Sequence, residues 1–208
     1  MPSVEFDLPM FPLGTVVMPG QTLSLQVFEP RYRKLVGDVV KGATGPVNEF
    51  GIVLIERGSE VGGGDVRFPV GCLTHIVQAQ PTPDGRIGLV VAGVKRIAIQ
   101  EWLSDRPYPY ARVAEIESVV VAADRDIQAD ARGALIDVLA AFNQPFDARA
   151  WPSDGDAFGD AVVARLGMTA LDAQRVLSED RVGVRLEIIT GMLRDAIADL
   201  RLRQQFEQ

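Results

Sequence analysis

Near residue 120 the chain changes its hydrophobic period, and no other feature restricts the possible folds as much. Before that point Val, Ile, Gly and Pro dominate and apolar residues tend to alternate. After it Ala, Leu, Asp and Arg dominate and apolar residues recur at helical spacing. Period two belongs to strands and period 3.6 to helices. Strands followed by helices predict an α+β protein. The expected division is a strand-built part over residues 1–120 and an all-α helical subdomain over 121–208.

The strand pattern can be read segment by segment. Thr22 to Val27 is compact and apolar, and Gly51 to Ile55 is a continuous apolar run, as in a strand buried on both faces. Gly62-Gly63-Gly64 reads as a connection. Val66, Phe68, Val70 and Cys72 alternate, with Ile76 in phase. Pro83-Asp84-Gly85 is a turn, because Pro presets φ and Gly tolerates a positive φ. Ile87, Leu89 and Val91 resume the alternation. Gly93 is expected to bend or bulge this strand, since Lys95 would otherwise fall on its apolar face. Tyr110 to Ile116 completes the set. Short strands with glycine turns predict a closed or nearly closed barrel. One helix is embedded among them: Pro30 suits a first helical position, Glu29 offsets the helix dipole, and Tyr32, Leu35, Val36 and Val39 form one stripe.

Beyond residue 120, a helix is expected over Asp126 to Phe142, then a loop from Asn143 to Asp156 and a short helix over Asp156 to Leu166. Thr169 is a plausible N-cap for a helix running to Leu177. The last helix, capped by Ser178 or Asp180 and ending near Leu202, carries Val182, Leu186, Ile189, Leu193, Ile197 and Leu200. Burying that stripe within the domain is the default, so a monomer or weak dimer is expected.

Composition narrows the function classes. The 208 residues carry a formal net charge of −7, which disfavours phosphate backbones and anionic membranes. The first ten residues lack a secretory pattern. No run approaches the roughly 20 apolar residues that span a bilayer. With one cysteine there can be no internal disulfide, and the expectation is a cytoplasmic chain without membrane association.

Catalytic and metal chemistry find little to stand on. His75, the single histidine, falls on the polar side of its strand and should be half exposed. Cys72 sits in the apolar register as a core thiol. One Cys and one His are too few for a structural zinc site. There is no P-loop and no nucleophile elbow. Asp124, Asp126 and Asp130 lie near a helix start, where they would offset the dipole on a solvated face. The expectation is no catalytic residue, no metal and no cofactor.

Several motifs resemble one family. Leu8-Pro9-Met10-Phe11-Pro12-Leu13, Val16-Val17-Met18-Pro19-Gly20 and Leu23 through Arg33 are similar to the opening of the N-terminal substrate-binding domain of the ATP-dependent Lon protease. That domain type also occurs in cereblon and in small stand-alone bacterial proteins. Phe50 to Ile55, Val70-Gly71-Cys72, Pro83 to Arg86, Gly93 to Ile97 and Tyr108-Pro109-Tyr110 follow in the family's order. The resemblance implies a PUA-like β-barrel with a packed helix, followed by a helical subdomain. It also implies a non-catalytic module that recognises unfolded or degron-bearing polypeptides, or a protease, as an adaptor in protein quality control. Candidate contact residues are Met10, Phe11, Met18, Phe28, Glu29, Arg31 and Tyr32. Arg31, Arg33 and Lys34 form either a recognition patch or a solvated face. Competing readings are an RNA-binding PUA-like protein and a carboxylate-based hydrolase.

Overall fold

Strands in this chain are long because β-branched and aromatic residues favour a half-buried pleated surface. They are short of edges because the sheet closes on itself. The structure is a computed structural model, and it describes residues 4–60 and 64–206. Six strands, β1 (Glu5–Leu13), β2 (Thr22–Val27), β3 (Glu49–Arg57), β4 (Val66–Pro81), β5 (Ile87–Leu103) and β6 (Tyr110–Glu115), form one sheet in the order β2-β5-β4-β3-β1-β6. β5 also pairs with β6, so β5, β4, β3, β1 and β6 make a closed ring. The long β5 serves two partners on one edge: residues 87–92 pair with β2, and residues from Ile97 onward pair with β6. Among the described strands only β1 and β3 pair in parallel. Of the expected glycine connection, Gly62 and Gly63 lie outside the described residues, as does the start of the N-terminal stretch read for a leader.

Apolar residues on both faces of this sheet are buried. Along β1, Phe11 and Leu13 join one cluster with Tyr32, Leu35, Val36 and Val39 of α1 (Pro30–Val40), while Leu8 and Met10 join the other with Val53, Leu73, Ile97 and Val113. Each fully buried aliphatic side chain contributes roughly 1.5–3 kcal/mol. β1 was legible as a motif but not as a strand, because Pro9 and Pro12 lack N–H donors and break the usual strand signal. Its ladder continues around them: Met10 N–H donates to the Pro109 carbonyl at 2.9 Å.

The bulge expected at Gly93 is present, since the register slips between Leu73–Lys95 and Thr74–Gly93. Its cause is a close approach. A Cβ on Gly93 would sit 2.1 Å from the Met18 carbonyl oxygen. Gly93 also holds the entrance to β2, donating to Gln21 O at 2.8 Å and accepting from Gly20 at 2.9 Å.

The chain divides into two compact units, Met1–Glu117 with Met168–Ser178, and Ser118–Gly167 with Glu179–Gln208. This differs from a single cut near residue 120. Helix α4 (Ala170–Ser178) returns to the barrel, where Gln174 Nε2 donates to the Val70 carbonyl at 3.0 Å. Thr169 caps α4 by accepting from Asp172 N–H at 3.2 Å.

The second unit contains α2 (Asp124–Ala141), α3 (Gly155–Leu166) and α5 (Val182–Phe206), with one 3-10 turn at Ala148–Ala150. The stripe Val182, Leu186, Ile189 and Leu193 is buried, with Ile197 and Leu200 partly so. Its core also holds charge. Arg185, 1% exposed, donates to both Asp156 and Asp160 and so ties α5 to α3. Asp124 departs from the solvated face expected for it: it is buried and accepts from Val121 N–H at 2.8 Å, closing the turn into α2. No helix among the described residues is long and apolar enough to cross a membrane.

Candidate functional site

The barrel unit has an open cleft of about 220 Å³ beside β2. Phe11 and Leu13 reach it from β1 and Tyr32 from the first turn of α1. Its other wall is Ser24 to Glu29, with Glu60 at the rim. The strand alternation that puts Phe11 and Leu13 on one face of β1 aims both at the cleft, and Pro30 starts α1 where Tyr32 meets Phe11. Their rings stack at 4.1 Å between centroids, and Phe50 lies 6.2 Å from Phe11 behind them. Burial pushes the Tyr32 hydroxyl up to about 12, with Arg31 pulling the other way.

The seven candidate residues separate by burial. Met10 (0% exposed) and Met18 (1%) are core residues, so neither presents a side chain to a partner. The reason is packing: Met10 fills the space that a Cβ on Gly51 would need, its sulfur 2.4 Å from that position. Phe11 and Tyr32 are nearly buried and form the cleft floor. Phe28, at 52% exposure, stands open at the mouth. Glu29 and Arg31 meet there at 3.0 Å, and Arg31 also lies 4.5 Å over the Tyr32 ring.

The basic cluster on α1 is engaged within the fold. Arg31 donates to the Glu60 carbonyl at 3.2 Å, Arg33 donates to the Gly85 carbonyl at 2.8 Å, and Lys34 pairs with Asp38 one turn on. Asp38 in turn accepts from the Tyr108 hydroxyl at 2.9 Å. These contacts favour the solvated-face reading over a recognition patch.

Sequence reasoning missed Leu13, Ser24 to Val27 and Glu60 as cleft-lining residues. A usable signal existed for β2: Thr22 to Val27 contains neither charge nor proline, the usual guards of a strand edge. Glu60 carried no such signal, because its carboxylate meets the N–H of Gly14, 46 positions earlier in the chain, only in the folded structure.

Neither Cys72 nor His75 lines the cleft. Cys72 is buried and its thiol donates to the Leu73 carbonyl at 3.3 Å. His75 is half exposed, with Glu49 at 3.9 Å. Among the described residues no three His, Cys, Asp or Glu side chains gather as a metal site. The cleft is therefore suited to holding an apolar group against aromatic rings, with polar anchors at its rim.

Known proteins share this architecture. "Lon protease 2" of Herpetosiphon aurantiacus is 26% identical over 219 residues, covering 99% of this chain and 26% of that protein. The Lon protease of Roseiflexus castenholzii is 30% identical over 170 residues, covering 81% of this chain and 20% of that protein. The chain thus spans about a quarter or less of these relatives. Among solved structures, the N-terminal domain of a Mycobacterium avium complex Lon protease superposes with a TM-score of 0.69 at 17% identity, covering 91% of this chain and 99% of that one. A Lon N-terminal domain protein from Xanthomonas campestris gives 0.63 at 23% identity, covering 88% and 95%. The model of the ATP-dependent protease La (LON) substrate-binding domain matches residues 7–195, and the chain belongs to that family.

Proposed function

We propose that this chain is a polypeptide-binding module, and that it takes apolar stretches of unfolded or degron-bearing chains into the cleft between β1, β2 and α1. It performs no bond-making step itself and acts as an adaptor that presents clients to a protease. The observation that carries this reading is Phe28, an exposed aromatic at the mouth of a cleft floored by Phe11 and Tyr32. Exposed aromatics beside an apolar pocket are the usual anchors of protein recognition. Family membership supports the same reading, since the matching domain is described as substrate-binding.

The test is binding of a labelled protein held unfolded by reduction and carbamidomethylation, followed by fluorescence anisotropy. The expected result is micromolar affinity for the unfolded chain and none for its native form. Phe28→Ser should weaken binding about tenfold, or about 1.4 kcal/mol, and leave the melting temperature nearly unchanged because the ring is half exposed. Equal binding by the variant would move the site away from this cleft.

A further inference from the structure

We propose that β2 binds its polypeptide by strand addition, accepting an extended, non-acidic segment as a seventh strand on its free edge. This deepens the proposed function and rests on it. Among the described residues β2 pairs only with β5, at the end of the strand order. The backbone groups on its other edge follow from the register. Gly93 N–H donates to Gln21 O, which makes Gln21 and Gly93 a hydrogen-bonded pair. Antiparallel ladders alternate bonded and non-bonded pairs. Leu23–Val91, Leu25–Leu89 and Val27–Ile87 are then bonded pairs, and the N–H and C=O groups of Thr22, Ser24 and Gln26 point to the free edge.

That edge opens on the cleft. Ser24 to Val27 of β2 line it, with Phe28 and Glu29 just past the strand's end. Phe11 and Leu13, on the opposite wall, lie past Pro9, where the pairing of β1 with β6 ends. An added strand would meet the outward groups of Ser24 and Gln26 while placing alternate side chains over Phe11, Leu13 and Phe28. Backbone bonds then give affinity without sequence specificity, and the apolar cleft selects alternate residues.

Charge selects the occupant. The rim holds two carboxylates, Glu29 and Glu60, against one guanidinium, Arg31. A second copy of this chain brings the same excess and a formal net charge of −7, so β2-to-β2 pairing is opposed. A neutral or basic extended segment is favoured.

The probe is an acetylated, amidated heptapeptide alternating valine or leucine with lysine or threonine, alongside the unfolded protein used above. Amide hydrogen exchange is followed residue by residue. Strand addition predicts at least tenfold slower exchange at Ser24 and Gln26, with little change at Leu23 and Leu25, which already bond to β5. Two peptides N-methylated in opposite phases should differ, one losing at least tenfold in affinity and the other binding nearly as well as the parent. Ser24→Pro removes an outward N–H that no neighbouring strand uses, and should weaken binding tenfold or more without unfolding the protein. Binding of the unfolded protein without protection at Ser24 and Gln26, or equal affinity for both methylated phases, overturns strand addition and leaves the polypeptide reading intact. Concentration-dependent dimerisation that protects the same amides would show a second copy to be the occupant instead. Failure of both probes to bind overturns both proposals.

Discussion

A guanidinium is buried in each unit, in different company. In the barrel unit Arg96, 3% exposed, donates to the Leu177 carbonyl at 3.4 Å, while the two core clusters are apolar and some apolar side chains reach solvent at the cleft. The helical unit surrounds Arg185 with the carboxylates of Asp156 and Asp160. The physical difference lies in the backbone. Strands that close into a ring satisfy their own polar groups and leave side chains free to be wholly apolar, as Leu8, Ile97 and Val113 are. Packed helices satisfy their backbones too, but side chains alone set their register. A buried ion cluster that is satisfied in one arrangement only can supply it. The cleft proposed for recognition belongs to the barrel unit, where apolar area remains to be covered.

The largest expected effect breaks the helical side of that comparison. Arg185→Leu should cost about 3–5 kcal/mol by stranding two carboxylates without their cation, read as a fall in thermal midpoint. Replacing Arg185, Asp156 and Asp160 together with apolar residues should recover most of the loss. A single substitution that costs no stability would show the cluster to be ornamental.

Glycines sharpen the contrast. Gly93→Ala should destabilise by roughly 1–3 kcal/mol, because its Cβ meets a backbone carbonyl that cannot swing away. Gly191→Ala on α5 meets nothing within 4 Å and should stabilise by about 0.5–1 kcal/mol through helix propensity. Urea unfolding of both variants gives the signs.

The smallest effect is a titration. All three tyrosines, Tyr32, Tyr108 and Tyr110, belong to the barrel unit. Burial raises all three, Tyr32 and Tyr108 to about 12. A raised folded value means that the stability tied to the neutral hydroxyl is fully present below about 10, the unfolded value, and is lost as pH rises through the folded one. Tyrosinate absorbance should therefore appear near pH 10 in denaturant and later in the folded protein. An early rise in the folded protein would show that the cleft floor is wet.

Much of this was legible in the residues, because local periodicity reports local structure. The Thr22–Val27 strand, the α1 stripe and the Thr169 cap all depend on neighbours within a few positions. The site was less legible. Met10 and Met18 sit in motifs that looked like a contact surface, but a motif shared for packing reads the same as one shared for binding. Only the paired strands show which side of β1 faces the cleft.

Sequence alone determined the α+β class and where most strands and helices lie, because period and turn chemistry are written in consecutive residues; the single apolar face read for Val66, Phe68 and Cys72 does not hold, since Val66 is exposed and Phe68 and Cys72 pack in different clusters. Tertiary structure decided three further matters: that β5 divides one edge between β2 and β6, that α4 returns to the barrel, and that Ser24 and Gln26 face open space. Each of these depends on which distant segment occupies a strand edge. That competition is settled by ring closure and burial across the whole chain, which no local pattern encodes.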